Sequence, residues 1–296
     1  MHDSNEPIFL RILRQAALKL LAMHDEAPRT VRYVASMQKW LITQAITAIH
    51  FERRQDDSLP PLTARTLIDF FAAQPLFSKN TLTAHLAEMR AYGLLIDQET
   101  HDRRAKPLGL SGYSERMISQ WLESHLEGLD QLDGGNRSTT FKGEPRLLLH
   151  MQPIVVRTLV FDPQWSRPPA SVDLFVKTES GSNILHDLIC RLPEDMPEDG
   201  APLCLGAVRA SEISTRHTLS RGHVQRVFAR AKSQDLLVWS LPANRGDLSV
   251  SQQLVRDYAS WQAVKFAAIA NAYDKGLRNL RQEQQMNADS LAQLGY

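Results

Sequence analysis

The strongest constraint on this chain is an internal repeat at an offset of about 140 residues. Glu6-Pro7 and the apolar run behind it recur as Glu144-Pro145 and a second apolar run. Pro28-Arg29-Thr30-Val31 recurs as Pro169-Ala170-Ser171-Val172. Ser78 to Ile96 lies on Ser220 to Val238 without a gap. That pairs Leu82 with Val224, Leu86 with Phe228, and Leu94-Leu95-Ile96 with Leu236-Leu237-Val238. Leu110-Ser111 is read as recurring in Leu248-Ser249, and Trp121 in Trp261. Identity is low; what repeats is the placing of apolar residues and of helix punctuation. So long a period implies two copies of a domain, since solenoid repeats run about 20–50 residues.

A chain of 296 residues accommodates two such domains, each with its own core. No apolar stretch approaches the roughly 18–20 residues of a membrane span. The start, Met1-His2-Asp3-Ser4-Asn5-Glu6, is polar and acidic, unlike a secretory leader or a mitochondrial presequence. The expected location is therefore cytoplasmic. The two cysteines, Cys190 and Cys204, read as reduced thiols. A net charge of +1 excludes a uniformly basic protein, but the charge is uneven. Residues 1–133 carry about −2 and the remainder about +3. Segment 216–232 holds Arg216, Arg221, Arg226, Arg230 and Lys232, with His217 and His223, and no acid. Local clustering of this kind matters more for nucleic-acid binding than the net charge.

Apolar periodicity predicts helices over 7–24, 30–54 and 63–74, and another that Ser78 caps and Gly93 ends. Leu94 to Asp97 and Pro107 to Leu110 read as two strands joined by a basic turn, followed by a helix over 113–132. Gly134-Gly135-Asn136-Arg137-Ser138 reads as linker. Second-copy helices are expected near 145–161, 172–178, 181–192, 208–215, 219–234 and 249–275. Its strand is 236–241, its hairpin tip 242–247, and its acidic surface loop 193–202. The expected domains are residues 1–133, a linker 134–144, a second lobe 145–275 and a polar tail 276–296, helical or frayed. The fold class is mainly α with small β-hairpins.

Helix, short helix, second helix and basic hairpin is the order of a winged helix-turn-helix. Burying Leu82, Leu86 and Met89 turns Lys79, Asn80, Thr83 and Ala84 outward, beside Thr81. In such an arrangement the start of the second helix reaches base edges in the major groove. Basic residues at the hairpin tip meet phosphates or the minor groove.

The residues Ser78-Lys79-Asn80-Thr81-Leu82-Thr83, Met89-Arg90-Ala91-Tyr92-Gly93-Leu94-Leu95 and Asp102-Arg103-Arg104-Ala105-Lys106-Pro107-Leu108-Gly109-Leu110-Ser111 carry a family likeness. On them the chain resembles the multiple-antibiotic-resistance regulator (MarR) family of bacterial winged-helix repressors. The likeness covers about residues 30–133, and residues 170–275 through the repeat. It implies two winged helix-turn-helix domains joined by a helical pseudo-dimerisation region built from the helices at 7–24, 113–132, 145–161 and 249–275. It also implies that Arg104 enters the minor groove, oriented by Asp102, and that Arg103 contacts the DNA backbone, with Lys106 at the same hairpin tip. Trp121 and Trp261 read as core or interface anchors.

The two copies depart from that pattern in opposite ways. The first has Ala84 and Glu88 on its second helix; the second has Arg226 and Arg230 there, with Arg221, His223 and Gln225 outward. The first keeps the longer wing, and the second retains Arg245 in a shorter tip. The expected partner is double-stranded DNA, read as an asymmetric pseudo-palindrome to regulate transcription, with a small-molecule effector as a further expectation. Oligomeric state stays open between a monomer with a pseudo-twofold and a homodimer. Two rivals stand beside this reading: a plasmid-type replication initiator and a winged-helix interaction scaffold. Ten histidines give no metal-ligand spacing, and no phosphate loop, Gly-x-Ser-x-Gly or His-Glu-x-x-His run occurs. No enzyme activity, metal or cofactor is expected.

Overall fold

The structure, a computed structural model, describes residues 6–26, 36–99, 106–193 and 200–293. It is mainly helical with small antiparallel sheets. In chain order the first copy has α1 (Glu6–Glu26), α2 (Met37–Gln55), α3 (Ala64–Phe70), α4 (Lys79–Ala91), β1 (Leu95–Asp97), β2 (Leu108–Leu110) and α5 (Gly112–Asp133). Then come α6 (Arg137–Gly143), α7 (Leu147–Phe161), α8 (Pro163–Ser166), α9 (Ala170–Val176) and α10 (Gly181–Cys190). The chain continues with β3 (Leu203–Cys204), α11 (Ala210–Arg216), α12 (Arg221–Lys232), β4 (Leu237–Leu241), β5 (Arg245–Val250) and α13 (Gln252–Gln293). The first part of the helix expected over 30–54 lies outside the described residues, as does most of the 193–202 loop.

The chain divides into two compact units, each assembled from two separate stretches. One comprises Met1–Leu41 with Pro163–Val264; the other comprises Ile42–Asp162 with Lys265–Tyr296. These units cut across the repeat boundaries, because the opening helix of each copy is exchanged. In the first unit α1 packs on α10, where the Cys190 thiol faces the Arg14 carbonyl at 3.8 Å. Burial pushes that thiol up to about 12, which leaves it unreactive. In the same unit the Trp165 and Trp261 rings stack 4.3 Å apart, and the Trp261 indole donates to the Trp165 carbonyl at 3.0 Å. Trp261 is thus a core anchor.

In the second unit α7 joins α2. Buried Gln152 donates to Gln44 Oε1 at 2.7 Å and Thr47 Oγ1 at 2.9 Å, and Arg157 grips Glu52 through both carboxylate oxygens. Pro153 inside α7 cannot donate to the Leu149 carbonyl one turn back. The Gln55 side chain supplies the missing donor at 2.6 Å.

One expectation needs correction. The stretch 134–144 is not plain linker, because residues 137–143 form α6. Gly134 ends α5 in the left-handed region (φ 73°), and the Asp130 carboxylate then caps α6 by accepting the Arg137 and Ser138 amides, each at 2.8 Å. The last helix continues through the polar tail, expected as helical or frayed, and runs to Gln293. Gly276 lies inside it because α13 passes close to α7; a Cβ there would sit 2.9 Å from Met151 Cγ and 3.3 Å from the Met151 backbone nitrogen.

Each copy also carries a strand position that periodicity alone does not reveal. Leu62 bridges Leu108 in the first copy, and β3 pairs with β5 in the second, placing Leu203 opposite Val250. Leu95 faces Leu110 and Leu237 faces Val250, so the counterpart of Leu110-Ser111 is Val250-Ser251 and not Leu248-Ser249. Both serines cap the helix that follows: Ser111 Oγ accepts the Ser114 amide and Ser251 Oγ the Leu254 amide. Among the described residues no helix is long and apolar enough to cross a membrane.

Candidate nucleic-acid interface

The second copy presents the more strongly cationic helix. Ser220 caps α12 by accepting the His223 amide at 3.1 Å. Val224, Val227, Phe228 and Ala231 bury one stripe, which turns Arg221, Gln225, Arg226 and Arg230 outward as the period requires. Among the described residues none of Arg221, Arg226 and Arg230 is held in an ion pair, so their charge is available to an external anion. His223 is less available: its Nε2 donates to the Glu179 carbonyl at 3.2 Å.

The hairpin is fastened to this helix. Lys232 Nζ donates to Asn244 Oδ1 at 2.8 Å and lies 5.7 Å from the Trp239 ring centre, and Phe228 packs against the same indole. Ala243 and Asn244 at the tip hold φ near +57° and +54°. Arg245 is exposed there, its Nε donating to the Pro242 carbonyl at 3.3 Å. The Lys232–Asn244 tether was not foreseen, since nothing in the pattern links a helix end to a tip twelve residues on.

Two members of the basic segment 216–232 point inward, contrary to expectation. His217 is fully buried, and its Nε2 meets Asp187 Oδ2 at 3.2 Å. Arg216 contacts Asp25 at 2.9 Å and Asp187 at 3.4 Å, while Arg191 meets Asp187 at 3.1 Å. Burial alone would raise the Asp187 carboxyl; hydrogen bonds from His217 and Arg191 and the guanidinium charges hold it below the usual carboxylate value. This knot fixes the turn between α11 and α12, in which Thr218 adopts φ 53°. That turn has four residues, His217 to Ser220, whereas α3 and α4 are joined by eight, Phe71 to Ser78.

In the first copy Ser78 caps α4, and Leu82, His85, Leu86 and Met89 are buried. Lys79, Asn80 and Ala84 are exposed as expected, and Thr81 and Thr83 are half-buried. The Thr81 hydroxyl is tied to Ser78 Oγ at 2.8 Å, and Thr83 Oγ1 donates to the Lys79 carbonyl at 2.8 Å, so both point along the helix. Glu88 lies 3.6 Å from His85 Nδ1, and His85 Nε2 meets Thr43 Oγ1 at 2.9 Å. An open groove of about 520 Å³ runs between α3, α4 and β2, lined in part by Arg65, Thr83, Arg90 and Lys106. Arg65 and Arg90 were missed by pattern reading; Arg90 sits one turn beyond Leu86 on the outward face, seven residues after Thr83. Both are ion-paired, Arg65 with Asp69 at 2.9 Å and Arg90 with Asp97 at 2.6 Å. Asp102, Arg103 and Arg104 lie outside the described residues.

The arrangement at α12 is an exposed row of cations that an extended polyanion could meet. Among the described residues no group of three or more His, Cys, Asp or Glu side chains is set to hold a metal ion. No protein-family model, curated protein or solved structure matches this chain.

Proposed function

We propose that the protein is a sequence-specific, double-stranded-DNA-binding transcriptional regulator of MarR-like type, with two fused winged helix-turn-helix lobes on one chain. The observation that carries this reading is α12: a capped helix with Arg221, Gln225, Arg226 and Arg230 exposed, its arginines free of ion pairs among the described residues, and a hairpin tethered to its end. Short strand, helix, turn, second helix and hairpin follow in the same order in both copies, which supports a common ancestry for the two lobes. The exchange of α1 and α7 between the copies supports a single-chain counterpart of two interlocked subunits.

In this reading α12 enters the major groove of one half-site, and Arg226 and Gln225 read base edges there. Arg221 and Arg230 neutralise phosphates. The first lobe contributes Lys79, Asn80 and Lys106 against a weaker field, because Glu88 lies on α4 and the groove arginines, Arg65 and Arg90, are already paired. The operator is therefore an unequal pair of half-sites.

Selection of bound sequences from a random duplex library tests the reading. The expected product is one site with two dissimilar inverted halves about one helical turn apart. Enrichment of tandem direct repeats would replace it with a replication-initiator role. Absence of enrichment, with no binding even at low salt, would leave a protein-interaction scaffold.

A further inference from the structure

The end of α1 places an imidazole where an apolar side chain would cost less. His24 is fully buried, and among the described residues neither of its ring nitrogens has a hydrogen-bond partner. Buried polar groups are normally satisfied, so a double exception calls for an explanation. The His24 ring lies 5.1 Å from the His217 ring, tilted by 33°. His217 opens the turn that aims α12, and its Nδ1 is likewise without a partner.

The charged groups around His24 are of both signs. From α11 comes Arg216, and from the turn His217. From α10 comes Asp187, and Arg191, just beyond its end, is also gripped by Glu212 of α11. From α1 itself comes Asp25, whose carboxylate already holds Arg216 at 2.9 Å. Asp187 is likewise engaged, by Arg191, Arg216 and His217. A proton on His24 would thus enter a buried site beside a guanidinium and a second imidazole; Asp25 favours that proton, but burial and His217 outweigh it.

We propose that His24 is a proton-operated latch on α12: when its imidazole takes up a proton, the last turn of α1 leaves the α11–α12 turn and α12 loses its fixed seat. The consequence for DNA binding rests on the regulator reading above; the latch itself does not.

The sign follows from the two states. Burial first, then the His217 charge, lowers the docked His24 from 6.5 to about 4. Once released into water the ring returns to its ordinary value. The docked state is thus fully favoured above pH 6.5 and loses ground as pH falls toward 4. Between pH 7 and pH 5 the docking constant falls roughly 20-fold by proton linkage.

Hydrogen exchange on the full chain without DNA tests the latch, with rates corrected for the intrinsic effect of pH. Protection over Leu20–Asp25 and Ile213–Ser220 is expected to fall together, by roughly 20-fold, between pH 7 and pH 5. In His24→Phe, which keeps a ring against His217, both segments should keep their pH 7 protection at pH 5. The same pH response in the variant as in the parent, or none in the parent, would overturn the proposal. If His24→Phe does not fold, NMR titration of the His24 ring in the parent protein decides: titration near 6.5 with protection intact overturns the latch, and titration coupled to loss of protection supports it. DNA affinity measured alongside separates the two readings, because a latch that opens in a protein with no DNA affinity at any pH removes the regulator and leaves the latch.

Discussion

The Ser251 amide donates to the Leu236 carbonyl at 2.9 Å, joining the start of α13 to the base of the second hairpin. Ser111 makes the same bond to Leu94 at 3.0 Å in the first copy. One residue before each acceptor the chain turns through the left-handed region, at Gly93 (φ 69°) and Asp235 (φ 55°). The Leu94 and Leu236 amides then reach back to the Met89 and Ala231 carbonyls, at 2.9 and 3.0 Å. The two helix ends are one motif executed with different residues.

That difference is testable. A side chain in the left-handed region costs about 1 kcal/mol, somewhat less for Asp. Asp235→Gly should therefore raise stability by up to about 1 kcal/mol, and Gly93→Ala should lower it by about as much. Nothing lies within 4 Å of a Cβ at Gly93, so its cost is conformational alone. Urea denaturation of both variants checks the pair; equal changes of one sign would contradict the shared motif.

Arg226→Ala should weaken binding to the selected site by about 1–3 kcal/mol and relax preference in one half only. Glu88→Lys should act in the other direction. It replaces an acid on α4 with the charge type that Arg230 supplies on α12, so affinity should rise and the salt dependence steepen by about one ion. Binding isotherms at several salt concentrations measure both, and an unchanged slope for Glu88→Lys would place α4 away from the phosphates.

Asp187→Asn should destabilise the unit that contains α10 by about 3 kcal/mol, because two guanidinium groups and His217 lose their shared buried anion. The carboxyl is held below 3.8 in the folded state, so its contribution is complete above that pH and disappears only as pH falls through the lower folded value. The loss caused by Asp187→Asn should therefore be the same at pH 7 and pH 5. A loss that shrinks by pH 5 would mean that the Asp187 carboxyl is not held low.

Gly276→Ala tests the approach of α13 to α7. Helix propensity alone predicts a gain of about 1 kcal/mol. The added Cβ would stand 2.9 Å from Met151 Cγ, and crowding of that kind costs about 1–3 kcal/mol. Net destabilisation is expected in thermal melts, and net stabilisation would show that Met151 gives way freely.

Much of the local structure was legible because it rests on short-range physics. Ser78, Ser220 and Ser111 cap the helices their neighbours suggested, and the stripes Leu82-Leu86-Met89 and Val224-Phe228 are buried. The register error at Ser249 arose because Leu-Ser occurs in the sequence two residues before the position that strand pairing selects. The inward turn of Arg216 and His217 was invisible for a different reason. Their partners, Asp25 and Asp187, are remote in sequence, and a basic run looks solvated until the opposing carboxylates are brought to it. Arg65 and Arg90 were hidden likewise, because a groove formed by three elements leaves no periodic trace in any one of them.

The exchange of opening helices also sets an order of events on the ribosome. Arg14 and Cys190, which meet in the finished unit, are 176 residues apart. α1 must wait for α10 while the rest of the first copy and much of the second are synthesised. Its apolar face (Phe9, Ile12, Leu13, Ala17 and Leu21) stays uncovered during that interval. Neither copy can be removed without stranding a helix that packs on the other.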